Sequence, residues 1–338
     1  MSSISVRDVA ALAGVSVGTV SNVLNRPEKV SPQALQRVHD AIDKLGFVRN
    51  DAARQLRAGR SSSVGLVVLD AGNPFFMDLA RGAEDRATQN GLSILLGNSS
   101  NDLGREGAYL DLFEQQRVSG VLITPMSEQV GRLERLRDRG IPTVLVDRAA
   151  PGISFSSVAV DDVAGGRLAA QHLLDLDRRS LAFVGGPRSI RQVADRIFGA
   201  QDAVGNSPGA TIEVIPTLAM TVLEGRRVGE EIAARPQRDR PTGIFCANDL
   251  VAVGMLQGLG IIRGIAVPQE IALIGYDDIS FAQSTVVPLS SVRQPSALIG
   301  RTGLELLLAE SLEGRPEVPA HVVYQPELVV RASTAEGA

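Results

Sequence analysis

The residues that could do chemistry in this sequence offer hydrogen bonds rather than bond making. The chain carries no GxxxxGK, HExxH or CxxC, the spacings that cradle a phosphate or hold a metal. Its nearest approach to a dinucleotide fingerprint, Gly258-Leu259-Gly260 with Gly264, has the wrong spacing and follows a helix pattern. His39, His172 and His321 are scattered and read as structural. Cys246 is the single cysteine, so no internal disulfide or thiolate cluster is expected. No catalytic residues, metal or cofactor are assigned, and an enzyme is not expected. What stands out is a polar set near the start of the chain: Ser16, Thr19, Ser21, Asn22 and Asn25. An asparagine offers paired donors and an acceptor, which suit the edge of an adenine.

Short helices position that set. Val6–Ala13 has Val9 and Leu12 on one face, and Gly14 stands where the chain turns. Ser16 caps a second helix with Val20, Val23 and Leu24 as its apolar stripe. Helix, glycine turn, helix is the arrangement whose second helix enters the DNA major groove, although ordinary helical hairpins share it. Ser31-Pro32 opens a third helix, with Leu35, Val38, Ile42 and Leu45 inward, and Gly46 closes it. Charge is uneven. Residues 1–60 hold nine Lys/Arg against five Asp/Glu, a net of +4, in a chain whose formal net charge is −4. A basic head on an acidic body fits DNA binding by the head.

Beyond Phe47, Asn50 can cap a short helix bearing Ala52, Ala53 and Leu56 among Arg49, Arg54 and Arg57, and residues 58–63 read as a linker. From Val64 onward apolar strands alternate with amphipathic helices, the pattern of parallel sheets covered on both faces. The remaining ~275 residues are long for one doubly wound unit and divide near Asp161. No stretch of 18 apolar residues and no signal-peptide pattern occurs, so a cytoplasmic, nucleoid-associated protein without a membrane partner is expected.

The runs DVAALAGVSVGTVSNVLN, VSPQALQRVHDAIDKLGF and RNDAARQL resemble the LacI/GalR family of bacterial transcriptional repressors. The likeness continues through VSGVLITP, VDRAAPG, VAVDDVAGGRLAAQHLL, FVGGP, FCANDLVAVGM, VPQEIALIGYDD and VRQPSALIGRTG. It implies an all-α helix-turn-helix head with a hinge helix, followed by an α/β body of two doubly wound subdomains like type I periplasmic sugar-binding proteins. The implied divisions are 1–49 for the head, 50–62 for hinge and linker, and 63–338 for the body. Within the body, subdomain one would hold about 63–161 and 293–323, and subdomain two about 162–290 and 325–332.

The resemblance places base-reading positions at Val17, Gly18 and Asn22. Ser16, Thr19, Ser21 and Asn25 are phosphate-contact candidates, which position without specifying. In the hinge, Leu56 would wedge into the central base step of the minor groove. Asn50, Ala53 and Arg54 would lie beside it and Arg57 near phosphate. Effectors are expected between the subdomains, at the carboxyl ends of strands. Asn73, Phe75 and Phe76, Asp147 and Arg148, Asn248, and Asp277 follow strands, and Arg196 stands where the family places a ligand arginine. Any of these could instead be a helix cap or core aromatic. Met220 replaces an aromatic common in the family, and Ala194 replaces an arginine of lactose-responsive members.

The implied protein is a homodimeric repressor of a palindromic operator, controlled by a small molecule, expected to be a carbohydrate. A dimer is favoured because no heptad helix follows Val330. Two alternatives stay open: a transport-type sugar-binding protein without DNA binding, and a regulator answering to a purine-like corepressor.

Overall fold

A computed structural model describes residues 4–47, 61–127, 130–150, 152–314 and 316–335. The chain divides into two units, Met1–Arg60 and Ser61–Ala338. The described residues contain eleven α-helices and two six-stranded sheets.

In the first unit, α1 (Val6–Ala13), α2 (Val17–Asn25) and α3 (Pro32–Leu45) surround a small core of Val9, Ala10, Ala13, Val20, Val23, Val38, Ala41 and Phe47. Local sequence sets each boundary. The Asp8 carboxylate accepts from the Ser5 amide (2.8 Å), and Ser16 and Ser31 cap the next two helices. Gly14 and Gly46 end α1 and α3 in the left-handed region, at φ 63° and 62°. One expectation fails: Leu12 is 45% exposed. The buried stripe of α1 runs through Val9, Ala10 and Ala13, because two alanines let α1 approach its neighbours closely.

The body begins with β1 (Ser63–Val68), α4 (Pro74–Thr88), β2 (Ser93–Asn98), α5 (Leu103–Gln115) and β3 (Val121–Ile123). It continues with α6 (Gly131–Asp138), β4 (Thr143–Val146) and β5 (Ser157–Val160). With β11 (His321–Tyr324) these strands make an all-parallel sheet of order β11-β5-β4-β3-β1-β2. The chain then crosses to α7 (Asp162–Asp175), β6 (Ser180–Val184), α8 (Arg191–Gly205), β7 (Thr211–Ile215) and α9 (Val222–Ala234). After these come β8 (Gly243–Cys246), α10 (Asp249–Leu256) with a wide turn through Ile262, and β9 (Ala272–Asp277). With β10 (Ser290–Arg293) and β12 (Glu327–Val329) they form the second sheet, β12-β10-β9-β8-β6-β7, in which only the β10–β12 pair is antiparallel. Between β10 and β12 the chain returns to the first lobe as α11 (Ser296–Glu313), packed on α4, and as β11.

The central strands are buried on both faces, as their unbroken Val/Ile/Leu runs require. Strand β10 had no such signal. Its first two residues are serines, yet both are fully buried. Their hydroxyls are satisfied internally, Ser291 donating to Asp249 (2.7 Å) and Ser290 bonding the Arg331 carbonyl and Thr334. No described helix is long and apolar enough to cross a membrane.

Candidate DNA-reading face and effector cleft

Helix α2 displays its polar side outward. Ser16 Oγ accepts from the Thr19 amide (3.0 Å) and bonds the Thr19 hydroxyl (2.9 Å), so Ser16 is occupied as a cap. Ser16 sits in Gly14-Val15-Ser16-Val17-Gly18, a GxSxG string. It lies between two helices rather than on a strand-to-helix elbow, so the nucleophile geometry is absent. Asn25 Nδ2 donates to the Ser21 carbonyl (2.8 Å). Asn22 is exposed and Val17 is 47% exposed, a large apolar surface with nothing above it in its own unit. Gly18 has room for a side chain, since a Cβ there would meet only Ser16 Oγ at 3.6 Å. Packing within the head therefore does not require this glycine. The hinge candidates Asn50, Ala53, Arg54, Leu56 and Arg57 lie outside the described residues.

In the body, a small cavity partly open to solvent lies between the two sheets. Asn73, Phe75, Phe76, Asp147, Arg196, Met220, Asn248 and Asp277 all line it. Arg148, buried one residue beyond Asp147, is not part of the lining. Five lining residues carried no signal as site residues: Leu69, Ile190, Gln192, Val193 and Gln294. Gln192 was obscured because α8 starts at Arg191, a turn earlier than its apolar pattern suggests. Gln294 was hidden behind the serine-rich strand β10.

Arg196 is the hub. Its Nε donates to Asp162 Oδ1 (2.7 Å), one Nη donates to the Ala247 carbonyl (2.6 Å), and the guanidinium stacks 3.6 Å from the Tyr276 ring centre. Two glycines allow this. A Cβ on Gly166 would stand 2.1 Å from the Arg196 carbonyl oxygen, and one on Gly199 2.0 Å from that of Val163. Helices α7 and α8 can therefore touch backbone to backbone, which brings Asp162 to Arg196.

Asp277 closes the cavity between the lobes. It accepts from Asn73 Nδ2 (3.0 Å), across the cleft, and from Gln294 Nε2 (2.7 Å). Asn73 also caps α4, its Oδ1 accepting from the Phe75 amide (3.0 Å). Asn248 likewise caps α10 while lining the cavity. At both asparagines the cap thus coexists with a position on the cavity, whereas Asp277 ends a strand and caps no helix. A second cross-cleft contact joins Gln192 Nε2 to Asp147 Oδ2 (3.0 Å).

Three buried carboxylates, Asp147, Asp162 and Asp277, surround one guanidinium. Burial pushes Asp277 up to about 6, against the pull of Arg196 and the amides. Asp147 is driven well above the usual carboxylate range by burial and by the like charge of Asp162. Arg196 is held firmly charged, its neighbouring carboxylates outweighing the cost of burial. Phe75 and Phe76 are both buried and meet edge to face at 5.0 Å, forming an apolar wall. Asp147 Oδ1 and Gln294 Oε1 are buried oxygens with no partner among the described residues. Cys246 is fully buried in the core, and burial raises its thiol well above the ordinary value.

A three-helix DNA-reading head joined to a two-lobed body with a polar cleft defines a helix-turn-helix transcriptional regulator. Comparison with known proteins agrees. Residues 5–50 match the family profile "Bacterial regulatory proteins, lacI family", and residues 170–334 match "Periplasmic binding protein-like domain". The HTH-type transcriptional regulator DegA of Bacillus subtilis (strain 168) is 31% identical over 332 residues, 97% of each chain. The ribose operon repressor of the same strain is 34% identical over 304 residues, 90% of each. A solved complex of the transcriptional regulator CelR with cellobiose is 30% identical with a TM-score of 0.70, covering 98% of this chain and 99% of that one. The chain belongs to the LacI family of bacterial regulatory proteins.

Proposed function

We propose that this regulator represses transcription as a homodimer on a palindromic operator, and that a sugar in the interlobe cleft controls its grip on DNA. The sugar assignment rests on one observation above all: Asp147 Oδ1 and Gln294 Oε1 are buried oxygens beside an aromatic wall, with no partner among the described residues. Buried polar groups left unpaired are costly, and the hydroxyls of a sugar can both donate and accept. Asn73, Asp147, Arg196, Asn248 and Asp277 take its hydroxyls, with Phe75, Phe76 and Met220 against its apolar faces. The names of two relatives, the ribose operon repressor and the CelR–cellobiose complex, point to the same ligand class.

The sheet memberships support subdomain divisions near 161, 293 and 324. Residues 50–57 act as the hinge, with Leu56 as the wedge that enters the minor groove. The protein works in the cytoplasm on the nucleoid and catalyses no reaction. In the head, Val17 and Gly18 offer no polar readout, so Asn22 and DNA deformability carry much of the discrimination.

Thermal-shift screening against ribose, glucose, cellobiose and hypoxanthine tests the ligand class. A sugar should raise the melting temperature; a shift with hypoxanthine alone would replace the sugar by a purine. Selection from a random duplex library tests the operator. The full chain should enrich a palindrome that residues 61–338 alone do not bind, and retained binding by that fragment would remove the head from its role. Leu56→Ala should weaken specific binding far more than non-specific binding.

A further inference from the structure

Next to Asp277 stands a second aspartate that the cleft does not use. Asp277 and Asp278 are consecutive non-glycine residues with positive φ, 105° and 55°, a backbone state held only where surroundings impose it. The Asp278 carboxylate is 6% exposed and does not line the cavity. Two guanidiniums enclose it. Arg293 Nε donates to Oδ2 (2.8 Å), and the Arg331 Nη that donates to the Leu289 carbonyl lies 2.7 Å from Oδ1, an ion-pair contact rather than a hydrogen bond.

The origins of those arginines carry the argument. Arg293 is the last residue of β10 and precedes Gln294, which holds Asp277; just beyond, the chain leaves for the first lobe as α11. Its other arm reaches Glu327 (3.6 Å), where the chain re-enters the second sheet. Arg331 follows β12, donates to the Leu289 carbonyl (2.7 Å), and its amide donates to Ser290 Oγ (2.7 Å). From beneath, the Asp278 amide donates to Ser291 Oγ (3.0 Å), which donates to Asp249; that carboxylate also accepts from the Ile279 amide (2.8 Å). One carboxylate thus ties the strained step at Asp277 to both points where the chain passes between lobes near β10 and β12.

We propose that Asp278, clamped by Arg293 and Arg331, is a positioning residue: it fixes the Asp277 carboxylate toward the cleft and couples ligand occupancy to the interlobe crossings. The proposal rests on the reading of the cavity as the effector site. Removing Arg331 leaves a buried carboxylate under-neutralised beside Asp277 and Asp249, and the strained step can relax. Coupling of this kind is reciprocal, so a change in the crossings alters sugar affinity as sugar alters the crossings.

The test is calorimetric titration of the full-length protein with ribose and with cellobiose. Arg331→Met should weaken sugar binding on the order of five- to tenfold and shrink the change in operator affinity that sugar produces. Asp278→Asn, close in shape, should do the same and serves if Arg331→Met fails to fold. Arg178→Met is the stability control. It removes an arginine bound to the Pro268 and Gln269 carbonyls in the same lobe, and should lower the melting temperature while leaving sugar affinity intact. Unchanged affinity in Arg331→Met and Asp278→Asn, or an equal loss in Arg178→Met, overturns the clamp. Asp277→Ala separates the two readings. If it keeps wild-type affinity, the cleft assignment falls and the clamp with it; if neither sugar binds the wild type, the sugar reading falls and the clamp with it; if it loses affinity while the clamp variants do not, only the clamp falls.

Discussion

The α2 face and the interlobe cleft both present hydrogen-bonding groups, yet they are built in opposite ways. On α2 the proposed reading residues are exposed: Asn22 and Val17 face outward, and Gly18 has room for a side chain. In the cleft, Asp147, Arg196, Asn248 and Asp277 are buried and hydrogen-bonded within the fold, to Gln192, Asp162, the Met220 carbonyl and Gln294 in turn. The difference is physical. DNA brings its own dense charge and a wide groove, so the protein need only present groups on a firm helix. A neutral polyol, the ligand proposed for the cleft, would bring neither, so a site for it must desolvate and orient every group beforehand. The head can change reading residues at little cost to its fold; the cleft cannot.

Four measurements would break or sharpen that contrast. The largest effect belongs to Arg196→Leu. It strands Asp162 and Asp277 as buried charges and should destabilise the body by about 3–5 kcal/mol in denaturant melts, with the head's own transition unmoved. Asn22→Ala should cost about 1–3 kcal/mol of discrimination at one base pair in competition binding, with no change in melting temperature; a stability loss would blur the contrast. Ser16→Ala should cost about 1 kcal/mol of head stability, because the Ser16 side chain caps α2.

The smallest effect is a matter of sign with pH. Asp277 is raised from 3.8 to about 6, so the folded body holds that proton more tightly than the unfolded chain. Its stabilising share is complete below about pH 4 and is lost as pH rises through about 6. Asp277→Asn lacks this loss and should gain on the wild type across that window in urea midpoints. Asp8 in the head is lowered by the Ser5 amide and hydroxyl. Its share is present above the ordinary carboxylate value and lost as pH falls, so Asp8→Asn should lose ground on the wild type as pH rises. Matching signs in the two variants would contradict the contrast.

Legibility in the sequence followed the same division. The head was readable almost residue by residue, because caps and turns act over three or four positions: Ser16, Ser31, Gly14 and Gly46 all fall at helix ends. Leu12 misled, since its side depends on how closely α1 approaches its neighbours through Ala10 and Ala13. In the body, unbroken apolar runs announced most strands, but β10 was silent because serines fill it and find partners only in the folded chain. Gln192 and Gln294 were illegible as cleft residues for a related reason: an amide is ordinary surface chemistry until the fold buries it.

By itself, the sequence determined the identities: a basic helix-turn-helix head, an alternating α/β body, and the polar residues that follow its strands. These depend on local periodicity, capping and charge, all written along the chain. Only the tertiary structure decided the company they keep. It set Arg196 against Asp162 and Tyr276, Asn73 against Asp277 two hundred and four residues away, and Asp278 between two arginines from separate strand ends. The reason is that burial and long-range proximity set the strength of a polar group, and no local pattern encodes either.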